Sequence, residues 1–369
     1  MNIDEIRNKL YQTLNKNISL NCKDVFIFGA GNTTSLYTSC IINENIDPIC
    51  FIDNNPQKHN SILKIGQSEK KVIYPGEAKA YVTRKPVILI CSSDPNTCYD
   101  IKTELSEGEM KGWEIYHIDE YVFSKNAQKL MDVFDMLEDD CSKRVYANMI
   151  MARIGAEVQD QDYISSKQYF SVPEFAVRNP SEVFVDCGAY VGDTIEQYLN
   201  IKSGTFSKIY AFEPNNRNYN ALCCRIERLK REWAVDDDRI QAVQAGVGDQ
   251  STKMTMISSE GSGTAELGAS FNSADNTAGD EIQIYSLDDY FKDERITFIK
   301  ADIESFEEKM INGAIKTIKR DKPIMAVCIY HNASDMYRIP LFIKKINPSY
   351  KIKVNQHYCK ISETVLYAY

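Results

Sequence analysis

The stretch 183–194 reads Val-Phe-Val-Asp-Cys-Gly-Ala-Tyr-Val-Gly-Asp-Thr. It begins as an apolar segment, reaches a carboxylate at Asp186, and then breaks into a turn bracketed by Gly188 and Gly192. A helical pattern follows, and about twenty residues later a second apolar segment ends in Glu213. This order of strand, glycine turn, helix and acid-tipped strand is typical of a doubly wound sheet that holds an adenosine cofactor.

The spacing of the acid and the glycines distinguishes between two cofactors. A dinucleotide site usually reads Gly-x-Gly-x-x-Gly, so that a helix N-terminus can receive a pyrophosphate. Here the pattern is Asp-x-Gly-x-x-x-Gly. A carboxylate at the end of the first strand would repel a pyrophosphate, but it would attract the ammonium group of S-adenosylmethionine. The motif therefore favours S-adenosylmethionine over NAD.

The glycine turn has a structural and a functional interpretation. Structurally, Asp193 could cap the following helix, with Glu196 completing a capping box. Functionally, the backbone of the turn approaches the cofactor, and Glu213 accepts hydrogen bonds from the ribose hydroxyls. The functional interpretation is favoured because Glu213 stands at the expected distance along the chain. The residues expected to bind the cofactor are Asp186, Gly188, Ala189, Tyr190, Gly192, Asp193, Thr194, Glu213, Pro214 and Asp302.

Seven ordered stretches extend this pattern over the rest of the chain. They are Leu-Glu-Asp-Asp-Cys-Ser-Lys (137–143), Val-Asp-Cys-Gly-Ala-Tyr-Val-Gly-Asp-Thr (185–194), Ala-Phe-Glu-Pro (211–214), Ser-Leu-Asp-Asp-Tyr (286–290), Ile-Lys-Ala-Asp-Ile-Glu-Ser-Phe-Glu (299–307), Ile-Tyr-His (329–331) and Glu-Thr-Val-Leu-Tyr-Ala (363–368). In these stretches the chain resembles the FkbM family of S-adenosylmethionine-dependent O-methyltransferases. The resemblance implies a Rossmann-like methyltransferase fold and methyl transfer to a hydroxyl. One departure is Ser305, where the family often has glycine.

Residues 171–369 alternate candidate strands with candidate helices, which predicts a parallel, doubly wound sheet of seven strands as the methyltransferase domain. Only a short loop joins the last two strands, so they are expected to form an antiparallel hairpin. Residues 123–170 have a helical pattern and are expected to be a connector that packs onto this sheet. The candidate strands are 183–186, 208–212, 240–245, 297–302, 324–330, 351–356 and 364–368, and the candidate helices are 195–200, 218–229, 306–318 and 336–346.

A smaller Rossmann-like α/β domain is predicted for residues 1–122. A buried strand runs into Gly29 and Gly31, and the next strand ends in Asp53. This is the order of a nucleotide or nucleotide-sugar site in which Asp53 would contact a ribose. The third glycine position holds Thr34, so the domain could instead be retained for packing or dimer contacts.

Methyl transfer to a hydroxyl requires an aligned acceptor and a base or metal that deals with its proton. Of the four histidines, His331 ends a candidate strand on the ligand-binding edge and is the expected base. Asp302, which ends the preceding candidate strand, is expected to act in the same pocket. Asp302, His331 and Asp335 could together hold Mg²⁺ or Mn²⁺, but a metal is not expected because the sequence does not establish their mutual geometry.

The polar stretch 258–280 is rich in Gly, Ser, Ala and Asn. A loop of this length inside a compact domain is usually functional or disordered. We expect a flap over the acceptor, and the alternative is an unstructured surface insert. The identity of the acceptor is expected to depend on this flap and on Tyr330, Asn332 and Asp335.

Composition narrows the classes of partner. The chain has 369 residues, a net charge of −9 and a pI near 5.2, which argues against a nucleic-acid surface. No apolar run approaches the roughly twenty residues that span a bilayer, and the N-terminus lacks the pattern of a secretory signal. The cysteines are scattered, as expected for reduced thiols in a cytoplasmic protein. A homo-oligomer is compatible with the sequence.

Three functions are open at this stage. The leading one is an S-adenosylmethionine-dependent O-methyltransferase that modifies a hydroxyl of a small molecule, either a sugar, a sugar nucleotide or another glycan precursor. The second is a binding protein that senses nucleotides or nucleotide sugars. The third is an NAD-linked sugar enzyme that uses Asp53 in the N-terminal domain, which the incomplete glycine pattern disfavours.

Overall fold

The structure is a computed structural model and describes residues 2–31, 34, 37–92, 94–156, 164–165, 167–256, 280–358 and 362–369. These residues form a six-stranded sheet, a seven-stranded sheet and a small three-stranded sheet. The central strands of both large sheets are buried, because helices cover parallel sheets on both faces. Their sequences are therefore continuous apolar runs. None of the described helices is long and apolar enough to cross a membrane.

The N-terminal half forms the six-stranded sheet. Its elements in chain order are α1 (Ile3–Leu14), β1 (Lys23–Phe28), α2 (Thr38–Asn43), β2 (Cys50–Ile52), β3 (Ile62–Ile65), β4 (Ser68–Ile73), β5 (Lys85–Ile90), α3 (Pro95–Glu107) and β6 (Glu114–His117), with 3₁₀ helices at Pro56–Lys58 and Pro75–Tyr81. The strand order is β3-β4-β2-β1-β5-β6, and only β3 and β4 pair antiparallel. The sequence does not predict this hairpin, because its strands are largely exposed and charged.

Three helices connect the two halves: α4 (Ile118–Lys125), α5 (Ala127–Met136) and α6 (Asp140–Arg153). Asp139 caps α6 by accepting a hydrogen bond from the backbone N–H of Ser142 at 2.7 Å. The Ser142 hydroxyl in turn accepts the backbone N–H of Val354 at 3.1 Å. The Tyr146 hydroxyl donates to the carbonyl of Met336 at 2.8 Å. The connector therefore packs against the second sheet, as the sequence indicates.

The C-terminal part forms the seven-stranded sheet. Its elements are α7 (Pro173–Ala176), β7 (Val183–Cys187), α8 (Asp193–Lys202), β8 (Lys208–Phe212), α9 (Asn216–Trp233), β9 (Ile240–Val243), β10 (Gly246–Val247), β11 (Thr252–Met256), β12 (Asp280–Tyr285), α10 (Leu287–Tyr290), β13 (Phe298–Ala301), α11 (Glu307–Asn312), α12 (Ile315–Asp321), β14 (Ile324–Cys328), α13 (Asp335–Ile346), β15 (Ile352–Gln356) and β16 (Thr364–Ala368), with a 3₁₀ helix at Gln168–Phe170. The strand order is β15-β16-β14-β13-β7-β8-β9. Only β16 is antiparallel to its neighbours, so the seven strands and the terminal hairpin are confirmed.

The predicted helix 306–318 is in fact two helices, α11 and α12, separated at Gly313. A side chain at Gly313 would place its Cβ only 2.0 Å from the carbonyl oxygen of Gly248. The carbonyl of Gly313 also accepts the backbone N–H of Asp288 at 2.8 Å and the hydroxyl of Ser286 at 2.9 Å. The helix ends at Gly313 because the chain there contacts a neighbouring backbone segment, a contact that periodicity does not reveal.

The predicted flap 258–280 lies outside the described residues except for its last position. On either side of it, β11 and β12 pair antiparallel, and β10 pairs parallel with β12. The sequence analysis does not predict this three-stranded sheet, whose strands flank the predicted flap. The strand predicted for 240–245 ends at Val243, because the chain then turns to join this small sheet as β10.

A buried ion pair joins the first and the last of the three connecting helices. Arg153 Nε lies 2.8 Å from Asp119 Oδ2, with side-chain exposures of 3% and 0%. Arg153 also donates to the carbonyl of Tyr330 at 2.7 Å. We expect Arg153→Met to lower the free energy of unfolding by about 3 kcal/mol, because Asp119 would remain buried without its partner. Urea denaturation followed by circular dichroism measures this loss.

Arg7→Met is the matched control for this prediction. Arg7 and Asp135 form an ion pair at 2.7 Å, but their side chains are 43% and 48% exposed. Removing an exposed pair should change stability by less than about 1 kcal/mol. Equal losses in the two variants would show that the buried pair has no special role at the junction.

Candidate active site

A cavity of about 320 Å³ lies at the carboxyl ends of four adjacent strands, β14, β13, β7 and β8. This is the edge at which doubly wound sheets bind ligands. The cavity is lined by Gln168, Tyr169, Gly188, Tyr190, Asp193, Thr194, Phe212, Glu213, Pro214, Asn218, Ala245, Gly246, Val247, Lys300, Asp302, Ile303, Glu304, Tyr330 and Glu363.

The structure brings most of the predicted cofactor residues to this cavity. Those that line it are Gly188, Tyr190, Asp193, Thr194, Glu213, Pro214 and Asp302. Asp186, Ala189 and Gly192 do not line it. The predicted base His331 is also absent from the lining. The most important residues that sequence reasoning missed are Lys300 and Glu363.

The glycine turn passes unusually close to the end of β13. Gly188 has a φ of +81°, and a Cβ on it would lie 1.9 Å from the carbonyl oxygen of Asp302. The backbone N–H groups of Gly188 and Ala189 both donate to the carbonyl of Phe212, at 3.1 and 2.9 Å. No residue but glycine fits at position 188 without displacing the backbone. Gly188 therefore allows the turn to pack against the end of β13 at the cavity.

The capping-box interpretation of the turn is wrong. Gly192, with a φ of 83°, is the N-cap of α8, and no side chain caps the helix. Asp193 is the first helical residue and lines the cavity. Glu196 points away and forms an ion pair with Arg228 at 2.8 Å. Asp193 therefore does not cap α8, contrary to the structural interpretation of the turn.

Glu213 ties the glycine turn to the end of β8. Its Oε2 accepts the backbone N–H of Tyr190 at 2.9 Å, and its Oε1 accepts that of Asn215 at 2.9 Å. The side chain is largely buried, and burial raises the pKa of Glu213 to about 7. Each carboxylate oxygen can still accept another hydrogen bond. Glu213 is thus an oriented acceptor at the cavity edge.

Asp186 and Lys300 form a fully buried ion pair below the turn. Lys300 Nζ lies 3.0 Å from Asp186 Oδ1 and donates to the carbonyl of Gly188 at 2.6 Å. Burial raises the pKa of Asp186 to about 6, a value that Lys300 keeps below neutrality. Asp186 therefore holds Lys300, and Lys300 holds the turn and reaches the cavity. A charged residue in the apolar strand β13 was the signal in the sequence that could have identified Lys300.

Two tyrosines orient Asp302 in the cavity. The Tyr169 hydroxyl donates to Asp302 Oδ2 at 2.7 Å, and the Tyr330 hydroxyl lies 3.4 Å from Oδ1. Burial alone would raise the pKa of Asp302, but the positive charges of Lys300 and His331 outweigh burial and lower it. Asp302 is therefore ionised, and its lowered pKa makes it a weak proton acceptor.

Carboxylates surround His331, the predicted base. Its side chain is 4% exposed and is surrounded by Glu307 Oε1 at 3.1 Å, Asp302 Oδ1 at 3.5 Å and Glu304 Oε2 at 3.5 Å. Burial alone would lower the pKa of His331, but these carboxylates outweigh it and raise the pKa to about 10. This raised pKa disfavours His331 as the group that takes a proton from an acceptor hydroxyl, and its role as the base stays a prediction.

Glu363 is a carboxylate that the sequence did not single out and that faces the cavity. Burial and the charge of Asp302 raise the pKa of Glu363 above its ordinary value. It contacts the Gln168 amide and lies 3.4 Å from the Tyr330 hydroxyl. Its φ of 63° is unusual for a residue with a side chain, as are those of Tyr190 (48°) and Glu304 (50°), which also line the cavity. Backbone strain of this kind clusters at functional sites.

In the N-terminal sheet, the glycine turn after β1 and Asp53 repeat part of the arrangement of Gly188 and Glu213. Asp53 accepts the backbone N–H groups of Ala30 and Asn55, each at 2.8 Å. Unlike Glu213, Asp53 also forms an ion pair with Lys58 at 3.0 Å. Gly29, with a φ of +108°, packs against the carbonyl of Cys91. Part of the loop that follows Gly31 lies outside the described residues, and a nucleotide site at Gly29, Gly31 and Asp53 stays a prediction.

The strand order, the antiparallel last strand and the cavity beside an acid-tipped second strand define a Rossmann-like methyltransferase fold. Residues 186–349 match the family model described as the methyltransferase FkbM domain. This stretch therefore resembles an FkbM methyltransferase domain, and the protein is a methyltransferase. The sensing protein and the NAD-linked enzyme are set aside as its main function. No curated protein matches the chain in sequence.

A solved structure supports the fold. The crystal structure of methyltransferase FkbM from Methylobacillus flagellatus has 19% sequence identity and a TM-score of 0.58, and the match covers 100% of this chain and 99% of that chain. Fibrillarin from Aeropyrum pernix with bound S-adenosyl-L-methionine has 13% identity and a TM-score of 0.33 over 54% of this chain and 71% of that chain. The first match extends over both halves of the molecule, and the second is too remote to bear on the site.

Proposed function

We propose that the cavity binds S-adenosylmethionine and that the enzyme transfers its methyl group to a hydroxyl of an uncharged, polyhydroxylated small molecule such as a sugar or glycan precursor. The observation that carries the proposal is the placement of Glu213. Its carboxylate is held by two backbone N–H groups beside a turn in which only glycine fits at position 188. Such an acceptor at the end of the second strand suits the two ribose hydroxyls of an adenosine cofactor.

The remaining cavity groups suit the other parts of this cofactor. Val247 and Phe212 supply apolar surface on the side of Glu213 for an adenine ring. Asp193 supplies a carboxylate for the positive charge of the methionine end. Asp186 is buried and does not line the cavity, so we assign it an indirect role: through Lys300, it holds the carbonyl of Gly188 in place.

Methyl transfer then requires one more group, which accepts the proton of the acceptor hydroxyl. The sulfur–carbon bond of the sulfonium breaks, an oxygen–carbon bond forms, and the hydroxyl proton leaves. We assign this proton to Glu363, which faces the cavity and has a raised pKa. A base is most effective when its pKa lies near the working pH. Tyr169 and Tyr330 orient Asp302, which lines the same cavity as Glu363.

The charges around the cavity favour an uncharged acceptor over a sugar nucleotide. Asp302, Glu304 and Glu363 line one side, and Lys300 is the only basic side chain among the lining residues in the described part of the chain. Lys300 already pairs with Asp186. A phosphate at about 5 Å from a carboxylate is opposed by about 3 kcal/mol at an effective dielectric constant of 20. Neutral hydroxyls can instead donate hydrogen bonds to these carboxylates.

Calorimetric titration with S-adenosylmethionine tests the cofactor site. We expect Glu213→Gln to weaken binding by about 10- to 100-fold, because hydrogen bonds to a charged acceptor contribute about 1.5–3 kcal/mol each. Asp53→Asn is the matched control, since Asp53 makes the same two backbone contacts in the N-terminal sheet. Its affinity for S-adenosylmethionine should equal that of the unmodified protein.

The same titration discriminates between the two halves of the chain. If S-adenosylmethionine does not bind, or if Asp53→Asn and not Glu213→Gln weakens it, the assigned cofactor site is wrong. Incubation with the methyl-labelled cofactor and a panel of free sugars, sugar phosphates and nucleotide sugars then tests the acceptor. Label incorporated only into the charged acceptors would contradict the argument from the carboxylates.

A further inference from the structure

Next to the cavity, three side chains form a compact set of potential metal ligands. Asp302 follows β13, Glu307 begins α11 and His331 follows β14. One ligand atom from each lies within 4.8 Å of the others. Ligand atoms around a first-row metal, with bonds of about 2.1 Å, lie about 3–3.5 Å apart, so a contraction of about 1 Å completes the geometry. His331 Nε2 and Asp302 Oδ1 are already 3.5 Å apart.

Buried polar atoms without hydrogen bonds are concentrated at the same place. In the described part of the chain they include Glu307 Oε2, Ser305 Oγ and Asn332 Oδ1. Both ring nitrogens of His331 also lack a hydrogen bond, although carboxylate oxygens lie 3.1–3.5 Å from them. Glu307 is 1% exposed, so its free oxygen has no access to bulk water. Buried polar groups in folded proteins are almost always satisfied, and a cluster that is not indicates a missing partner such as an ion.

The local charge favours a cation as that partner. Asp302, Glu304 and Glu307 surround one histidine within 3.5 Å. Lys300, which lines the neighbouring cavity, is engaged by Asp186. Even a charged imidazole leaves an excess of negative charge in this partly buried cluster, and uncompensated buried charge is costly.

We propose that Asp302, Glu307 and His331 bind one divalent first-row metal ion, of the type of Mn²⁺ or Zn²⁺, at the acceptor side of the cavity. One imidazole nitrogen and two carboxylates are a donor set that these ions accept, whereas Mg²⁺ prefers oxygen ligands alone. Asp335 does not belong to the set, which corrects the expectation from sequence: its Oδ2 accepts the backbone N–H of Asn332 at 3.0 Å. Glu307, which the sequence analysis overlooked, takes its place.

The ion would act on the proposed methyl transfer through its position beside the cavity. Asp302 both belongs to the ligand set and lines the cavity. A cation there polarises an acceptor hydroxyl and lowers the pKa of that hydroxyl. This role rests on the proposed function, but binding of the ion does not, so the two can be tested separately.

The test measures metal binding in the absence of cofactor and acceptor. The full-length protein is stripped with EDTA, dialysed and titrated with MnCl₂, with the free Mn²⁺ followed by electron paramagnetic resonance, and with ZnCl₂ by calorimetry. We expect one ion per chain with at least one of the two metals. Glu307→Gln should weaken its binding at least tenfold, because it removes a charged ligand.

Glu308→Gln is the matched control: the neighbouring glutamate is partly exposed and pairs with Arg338 at 2.6 Å. It should bind the metal as the unmodified protein does. Asp302→Asn provides a second ligand variant if Glu307→Gln is unstable in thermal melts. Absence of stoichiometric binding of both metals, or binding that Glu307→Gln and Asp302→Asn leave unchanged, overturns the proposal. If the metal-free protein still transfers methyl groups, the metal has no role in the reaction. If the protein binds the metal but transfers no methyl group, the proposed function is wrong and the metal site stands.

Discussion

Gly188→Ala is expected to lower the free energy of unfolding by about 2–6 kcal/mol and to abolish binding of S-adenosylmethionine. Two effects add up at this position: a side chain at a φ of +81° costs about 1–3 kcal/mol, and overpacking costs about 1–3 kcal/mol. The new Cβ would overlap the carbonyl oxygen of Asp302, which lies 1.9 Å away. Since that atom belongs to the backbone, no side-chain rotation relieves the overlap, and the end of β13 must move.

Gly112→Ala separates the two effects. Gly112 has a similar φ of +88°, but a Cβ on it meets no atom within 4 Å. This variant should show only the cost of the φ angle, about 1 kcal/mol, and should bind the cofactor normally. Thermal melts and calorimetry on both variants give the comparison. If Gly188→Ala behaved like Gly112→Ala, the turn would not be packed against β13 as the structure has it.

Glu363→Gln is expected to slow methyl transfer by about 10²–10⁴-fold while leaving the Kd of S-adenosylmethionine unchanged, as for the loss of a general base. Glutamine has the same size as glutamate and can still contact Gln168 and Tyr330. Single-turnover rates with saturating acceptor separate the chemical step from binding. Glu196→Gln is the control, because Glu196 lies outside the cavity and pairs with Arg228.

The pH dependence of the rate gives an independent check on Glu363. A base works only when deprotonated, so the rate should fall as the pH drops through its pKa. Burial raises that pKa above the ordinary value for a glutamic acid, so the fall should begin at a higher pH than for an exposed carboxyl. Glu363→Gln should lose this acid limb. A retained limb, or a retained rate, would assign the proton to another group.

The prediction that His331 is the base shows which part of the site the sequence leaves open. Its position at a strand end was right, because periodicity and strand order place it on the ligand-binding edge. The sequence could not show that Glu304 and Glu307 turn back toward the ring. Those contacts depend on the path of the loop after β13, which includes positive φ angles at Glu304 and Ser305. Ser305, the departure from the family pattern, is thus one of the strained residues.

For Glu213 and Asp186, the sequence predicts the positions but not the different roles of the two side chains. Both are acids at the ends of neighbouring strands, and the pattern of apolar residues suffices to place them. Their roles differ because Lys300, more than a hundred positions from Asp186 in the chain, projects from β13 against one and not the other. A pairing across strands depends on the register of the sheet, which no local spacing encodes.

The amino-acid sequence alone sufficed to predict the alternation of strands and helices, the seven-stranded sheet with its antiparallel end, and the edge at which Gly188, Glu213 and Asp302 meet. These features follow from apolar periodicity and turn residues, which act over a few neighbouring positions. The surroundings of three other side chains depend on the folded chain: Asp186 is paired with Lys300, His331 is enclosed by carboxylates, and Glu363 faces the cavity. Burial and charge at these groups arise from residues far apart in the chain, and they exist only once the strands have taken their places in the sheet.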